Sequence, residues 1–335
     1  MRRSALIFAG PRRVEIVEEE LGPPPAGHVL VRAQVSAISA GTELLVYRGE
    51  LPSDRPLDES LPALAGAPFS YPARYGYAVV GEVIAVGAGV PAARLGGRVF
   101  ALAPHASAVV LPAPDAFAVP EGFDAERAAL FASMETAVNL VLDGAPRLGE
   151  RVAVLGQGII GLLVTSLLSR FPLEALVAVE GDATRAARAL SLGAGAAVPS
   201  LAEARGAFAD GDGADVTFEL TGDPRSLDAA LALTGREGRV VVGSFYGTKR
   251  APLDLGAHFH RGRLTIASSQ VSALPPALTG RWDRARRRRA AWEALSRVDA
   301  AALVSHRFAL GRAAEAYACL DAGPVEALQV LLTYD

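Results

Sequence analysis

Cysteine is nearly missing from this chain, with Cys319 alone among 335 residues. That count excludes an intramolecular disulfide and any cysteine-rich zinc lobe, and it fits a reducing compartment. Lysine is just as scarce: Lys249 is the only one, so arginine carries nearly all the positive charge. The formal net charge of −3 leaves no basic field to draw nucleic acid. Long apolar runs are few. The uncharged stretch from Val152 to Ser169 approaches membrane-spanning length, but its glycines and its change from strand to helix pattern mark a buried strand-helix unit. At the start, Met1 to Gly10 has too short an apolar part for a secretory signal, and Arg12 and Arg13 follow at once. A first strand is expected there, in a soluble, cytoplasmic protein with no membrane partner.

Apolar residues make up 51% and charged residues 21%, a globular balance that rules out a disordered chain. The length is enough for two domains. The most informative stretch is Arg151 to Gly161, where the apolar run Val152 to Leu155 leads into Gly156, Gly158 and Gly161 and an apolar helical pattern follows. Each glycine has its own task in such a turn. Gly156 permits the tight bend, Gly158 lets backbone approach a pyrophosphate, and Gly161 lets the helix pack on its strand. Backbone N–H groups from Gln157 to Ile160 then face the phosphates at a helix N-terminus. A second apolar strand ends in Glu180, 24 residues after Gly156, where this arrangement puts the carboxylate that binds a ribose diol. A 2′-phosphate would meet that negative charge, so NAD(H) is expected in preference to NADP(H).

From Ala5 to Pro112 short β-rich segments alternate with Gly and Pro turns. Ser36 to Gly49 leaves a strand and enters a short helix, and residues 51–74 form a long connection of low periodicity, which in a compact domain is a functional or mobile loop. Helical pattern runs from Ala128 to Leu142. Strands expected at 152–155, 175–179, 215–218, 239–243 and 264–268 then alternate with helices, which predicts a doubly wound parallel sheet of the α/β class. Helices near 284–297 and 311–322 and a strand at 328–333 complete the chain.

Gly41-Thr42-Glu43 with Tyr47-Arg48-Gly49, Gly76-Tyr-Ala with Gly81, Val86-Gly-x-Gly-Val90, Gly97-Arg-Val-Phe100, the glycine turn, Gly213 to Glu219 and Gly238 to Gly243 occur in one order. In that order they resemble the medium-chain dehydrogenase/reductase superfamily of alcohol dehydrogenase-like proteins. The resemblance implies a Rossmann domain at 131–272 inserted in a GroES-like β-barrel domain made of 1–130 and 273–335, active sites in the cleft between the two, and a homodimer. The departures are as informative. The first metal-ligand cysteine of the zinc enzymes would fall at Ala40, or at Ser39 with a register slip of one, and their Gly-His-Glu motif reads Gly76-Tyr77-Ala78. A stable zinc site needs three or four N, S or carboxylate ligands, so no zinc is expected.

Without a metal, hydroxyl or imidazole groups must handle the reacting oxygen. Tyr77 replaces the metal-binding histidine, and Thr42 matches the hydroxyl that begins the family's proton relay. Its alternative role, and that of Tyr77, is packing or capping. Glu43 matches a carboxylate behind the metal ligands, with helix capping the preferred reading, and the relay's histidine would fall at Leu45. His105 offers a base tuned to neutral pH; a structural histidine is the competing reading. Glu135 stands near a position where some members bind metal, though helix capping or a nicotinamide-side contact fits it better. Carried over from the resemblance, Asp182 and Arg185 complete an adenosine pocket, Thr221 and Gly222 meet the cofactor, and Ser244 and Ser268 contact nicotinamide. His258 and His260 are possible cleft or interface groups, and Arg286 to Arg289 read as a solvated helix face.

The expected activity is therefore zinc-independent, NAD(H)-dependent hydride transfer between a secondary alcohol or ketone and nicotinamide. Ser36 to Glu43 also resembles the zinc-free bacteriochlorophyllide dehydrogenase branch. Reduction of activated C=C bonds, in enones, quinones or acyl thioesters, and a non-catalytic NAD(H) sensor or subunit stay open as alternatives.

Overall fold

The computed structural model describes residues 1–57, 68–208, 213–323 and 326–334. Contacts divide the chain into two units, Met1–Ala132 with Asp299–Asp335, and Ser133–Val298. Residues 273–298, expected with the outer unit, group with the inserted one. One tie is an ion pair: Arg287, 3% exposed, donates from Nε to Glu135 at 3.1 Å and from Nη1 to Asn139 at 2.7 Å. Both partners lie on the helix Phe131–Gly144, so the helix Arg284–Leu295 is tied to the inserted unit.

The outer unit begins with strands β1 (Arg2–Gly10) and β2 (Arg13–Glu20), an antiparallel pair that forms its own two-stranded sheet. Then follow β3 (His28–Ile38), β4 (Val79–Val86), β5 (Arg98–Ala101), β6 (Ala108–Pro112) and β7 (Ala116–Ala118). β3 is the centre of the larger sheet: it pairs antiparallel with β4 and with β6 and is buried along most of its length. Its apolar side chains Val29, Val31 and Ala33 join Val79, Val83 and Val99 in one core. The helix Ala40–Arg48 follows β3 directly. The long connection at 51–74 lies partly outside the described residues.

In the inserted unit the strands are β8 (Arg151–Leu155), β9 (Ala175–Val179), β10 (Ala196–Val198), β11 (Ala214–Glu219), β12 (Thr234–Val242) and β13 (Thr265–Ser268). They form one parallel sheet in the order β10-β9-β8-β11-β12-β13. β8 and β9 read as unbroken apolar runs because helices cover both faces of a parallel sheet. The chain winds outward through β9 and β10, then restarts at β11 on the other side of β8. That reversal is where such folds bind ligands, beyond the carboxyl ends of the strands. The fold is therefore α/β, a Rossmann-type sheet together with a separate, largely antiparallel sheet unit.

Two last strands, β14 (Val304–Ala309) and β15 (Gln329–Thr333), return to the outer unit, where β15 pairs antiparallel with β3. Among the described residues no helix is long and apolar enough to cross a membrane.

Candidate active site

At the end of β8, Gly156 has φ +86, and a Cβ there would meet the Leu220 carbonyl at 2.9 Å. A Cβ at Gly161 would lie 1.9 Å from the Gly156 carbonyl oxygen, so only glycine lets the helix Ile159–Leu168 sit this close to the turn. Gly158, the residue before that helix, faces open space. Together these positions make the backbone cradle a pyrophosphate requires, with Ile159 and Ile160 in the first helical turn. The side chain of Gln157 turns inward instead, donating to Val154 O at 3.2 Å and accepting from Thr165 at 3.1 Å.

Glu180 stands on the same cavity, of ≈ 350 Å³, with Gly156, Gly158, Arg185, Leu220 and Thr221. Its two oxygens accept from the backbone N–H of Gln157 at 2.8 Å and of Asp182 at 3.0 Å. A carboxylate has about four acceptor sites, so the bonds that fix Glu180 leave capacity for a diol. Asp182 does not line the cavity among the described residues. It caps the helix Ala183–Ser191, accepting from Arg185 N at 2.8 Å.

Glu219 closes β11 as a fully buried carboxylate that sequence reading did not single out. It accepts from the backbone N–H of Thr221 at 2.9 Å, from the Thr221 hydroxyl and from the Tyr246 phenol. Burial and then the neighbouring Glu219 push the Tyr246 phenol well above its ordinary value, so it stays a donor. Ser244 accepts from Gly222 N at 2.9 Å, which binds the loop after β12 to the loop after β11. Ser268 is exposed at the end of β13.

In the outer unit a second set of polar groups gathers around the start of the helix Ala40–Arg48. Tyr77 is half-buried, and its phenol hydrogen-bonds with the Ser39 hydroxyl and lies 3.5 Å from Thr42 Oγ1. Beneath them lies a buried cluster. His105 and Glu43 are both 0% exposed, with Nε2 2.9 Å from a Glu43 oxygen and Nδ1 2.6 Å from Ser36 Oγ. Tyr317 donates to the same Glu43 oxygen, Tyr334 lies 2.7 Å from Ser36 Oγ, and the other Glu43 oxygen accepts from Ser39 N at 2.8 Å. Burial raises the Tyr317 phenol well above its usual value, with Glu43 adding to the effect, and burial raises Tyr334 as well.

These placements turn His105 away from the role of base and agree with the capping reading of Glu43. His105 is fully buried with both ring nitrogens engaged by Glu43 and Ser36, a placement that fits the structural reading and not that of a base facing a substrate. Glu43 caps the helix through Ser39 and at the same time anchors the buried cluster. The sequence offered no local sign of Tyr317 or Tyr334, which arrive from the far end of the chain. Ser39 lay within the singled-out run, but only as a register alternative for a lost ligand. Glu135 pairs with Arg287 rather than capping a helix. Of the arginine run, Arg287 turns inward, while Arg286 lies 4.4 Å from the Trp282 ring centroid.

The catalytic metal of the zinc enzymes that the sequence resembles finds no matching donor set among the described residues. Ala40 and Ala78 carry no ligand atom, Tyr77 is engaged with hydroxyls, and His105 with Glu43 is sealed in a saturated cluster. Among the described residues no group of three or more His, Cys, Asp and Glu side chains is arranged to hold a metal ion.

Known proteins match this architecture. The family described as "Zinc-binding dehydrogenase" matches residues 160–286. D-guloside 3-dehydrogenase of Escherichia coli K12 is 26% identical over 308 residues, covering 87% of this chain and 87% of its own. (R,R)-butanediol dehydrogenase of Bacillus subtilis 168 is 28% identical over 298 residues, covering 78% and 80%. The crystal structure of the RspB dehydrogenase from E. coli CFT073, complexed with NADH, superposes with a TM-score of 0.79 at 21% identity over 99% of both chains. With the fold and the glycine turn already in place, these matches make the chain similar to zinc-binding-type, medium-chain alcohol dehydrogenases.

Proposed function

We propose that this protein is a zinc-independent, NAD(H)-dependent dehydrogenase acting on a secondary alcohol or its ketone. The observation that carries the reading is the replacement of metal ligands by alanine and a phenol: Tyr77 stands where the family binds metal, hydrogen-bonded to Ser39 with Thr42 nearby. Dehydrogenase chemistry is supported by the relatives, and the NAD(H) preference by the pinned carboxylate of Glu180. Gly156 to Gly161 hold the pyrophosphate and Glu180 the ribose diol. When bound, the nicotinamide supplies the hydride donor or acceptor. The chain's own task is the oxygen: the Tyr77 phenol donates to a carbonyl as it is reduced, and as an alcohol is oxidised it takes up the hydroxyl proton while passing its own to a neighbouring hydroxyl. Thr42 supports it with a hydroxyl that both donates and accepts. Arrival of the nicotinamide ring needs no metal to orient the oxygen if the phenol does so.

Hydride transfer followed at the NADH absorbance, on secondary alcohols, ketones and enones with each coenzyme, tests this directly. NADH should be preferred, ketones should outrun enones, and a strong chelator should leave the rate unchanged. Tyr77→Phe should lower kcat about 100-fold, the usual scale for loss of a general acid. Enone turnover with NADPH would replace this reading by the C=C reductase, stoichiometric zinc would overturn its metal-free part, and tight NADH binding without turnover on any substrate would leave a sensor.

A further inference from the structure

Serine at the residue before a helix normally spends its side-chain oxygen on the N–H groups of the first turn. Ser39 occupies that position for the helix Ala40–Arg48 and makes no such capping bond. The Glu43 carboxylate reaches back to the Ser39 N–H at 2.8 Å, while the Ser39 carbonyl accepts from Thr42 N at 3.1 Å and Glu43 N at 2.8 Å. The hydroxyl is left free of the helix and is turned onto the Tyr77 phenol. Ser39 is half-buried, so the residue that bonds the phenol is itself partly exposed to solvent.

Resting on the alcohol dehydrogenase reading above, we infer that Ser39 is a proton-relay residue, passing the proton between Tyr77 and solvent. Here the Tyr77 phenol donates to Ser39 Oγ; both groups are hydroxyls, so the bond can reverse, and when the Ser39 O–H donates instead the phenol hydrogen is released to a substrate oxygen. During alcohol oxidation the hydroxyl proton of the substrate moves to Tyr77 Oη as the Tyr77 proton moves to Ser39 Oγ and the Ser39 proton to water. Each oxygen loses one O–H bond as it gains another, so neither is left charged, and one proton leaves for solvent. The electron pair departs with the hydride. The buried groups secure the geometry: Glu43 holds the Ser39 backbone, His105 and Tyr317 hold Glu43, and Ser36 holds His105. They act as positioning residues behind the relay.

The relay is open to a measurement that needs no coenzyme. The ultraviolet titration of the unliganded protein, minus that of Tyr77→Phe, reports the ionisation of Tyr77 alone. A hydroxyl donating to a phenolate stabilises it, so Ser39→Ala should raise this pKa by about one unit, as expected for a hydrogen bond to a charged group. The pH profile of kcat should move the same way and the solvent isotope effect should change, while Ser39→Thr, which keeps the hydroxyl, should restore both. The alanine variant removes no capping bond, so its thermal stability should fall by no more than the loss of the single Tyr77 hydrogen bond. If Ser39→Ala leaves titration and pH profile unchanged while Tyr77→Phe is inactive, the relay is overturned and the alcohol reading stands. If the parent oxidises no secondary alcohol, the functional reading fails, and the titration still decides whether Ser39 and Tyr77 share a proton.

Discussion

Gly76 shows how a motif residue is fixed by something the motif does not contain. Its φ is +118, and a Cβ there would lie 2.7 Å from two atoms of the His105 ring. The glycine was legible as part of Gly-Tyr-Ala, but the reason for it is a histidine 29 residues later, folded onto its face. Gly76→Ala combines backbone strain with overpacking against a ring that both neighbours lock in place. A loss of at least about 2 kcal/mol is expected in urea unfolding, and the outer unit should carry it. Glu19 provides a pH-dependent counterpart. Hydrogen bonds from Arg74 and then Arg3 hold its carboxyl down at about 2 against an ordinary 4.5. A depressed carboxyl stabilises the folded state above its unfolded pKa, so the benefit is complete above pH 4.5 and disappears as pH falls towards 2. Glu19→Gln should flatten the fall in stability across that window, as measured by unfolding at a series of acid pH values. Glu180 is a residue whose charge, not its packing, is at issue. Arg185 shares its cavity, so Glu180→Gln should remove the repulsion of a 2′-phosphate while keeping a cation for it. NADPH binding should improve about tenfold relative to NADH in fluorescence titration, since a like-charge contact costs 1 kcal/mol or more on the scale of about 1.4 kcal/mol per tenfold.

Among the elements, the strands of the parallel sheet were the most legible, because a strand buried on both faces is an unbroken apolar run and little else in this chain is. The expected 152–155, 175–179 and 264–268 differ from β8, β9 and β13 by one residue at most. The strands β7, β10 and β14 were not anticipated; β7 and β10 are only three residues long and β14 alternates weakly, so none has the periodicity that separates a strand from a loop. The arginine-rich helix Arg284–Leu295 was misread for a different reason. Four successive arginines look uniformly solvated, and only the tertiary partner reveals that one of them points inward. Arg287 and Glu135 have side chains 4% and 11% exposed. Truncating one partner of such a pair strands the other charge away from water. Arg287→Ala should therefore cost about 3–5 kcal/mol, whereas Arg287→Met combined with Glu135→Leu, which removes both charges, should cost much less. Comparing their urea midpoints separates the pair from mere volume.

For the molecule as a whole, the separation of the two polar assemblies along the chain makes a testable division. Every strand of the parallel sheet lies between residues 151 and 268, and the cavity with Glu180 draws only on residues 155–226. All of this is contained in Ser133–Val298, one uninterrupted segment with its own core around Val177, Phe208, Leu227 and Val240. The outer unit has no such independence. Its central strand β3 is flanked by β15 from the far end of the chain, and its buried carboxylate Glu43 depends on Tyr317 for a donor. Leaving a buried carboxylate short of a partner costs about 1–3 kcal/mol or more, added to the loss of an entire strand and helix from the apolar core. Expressed alone, residues 133–298 should fold cooperatively and bind NADH with an affinity within about tenfold of the full chain, a loss of at most roughly 1.4 kcal/mol, because the cavity with Glu180 lies wholly within this segment. Residues 1–132 alone should fail to give dispersed amide resonances, and adding residues 299–335 in the same polypeptide should restore them. Folding of 1–132 by itself would mean that β3 and the Glu43 cluster are held by the N-terminal strands alone. Tyr77 and Ser39 would then owe their arrangement to local sequence, and the returning strand would be dispensable for the chemistry.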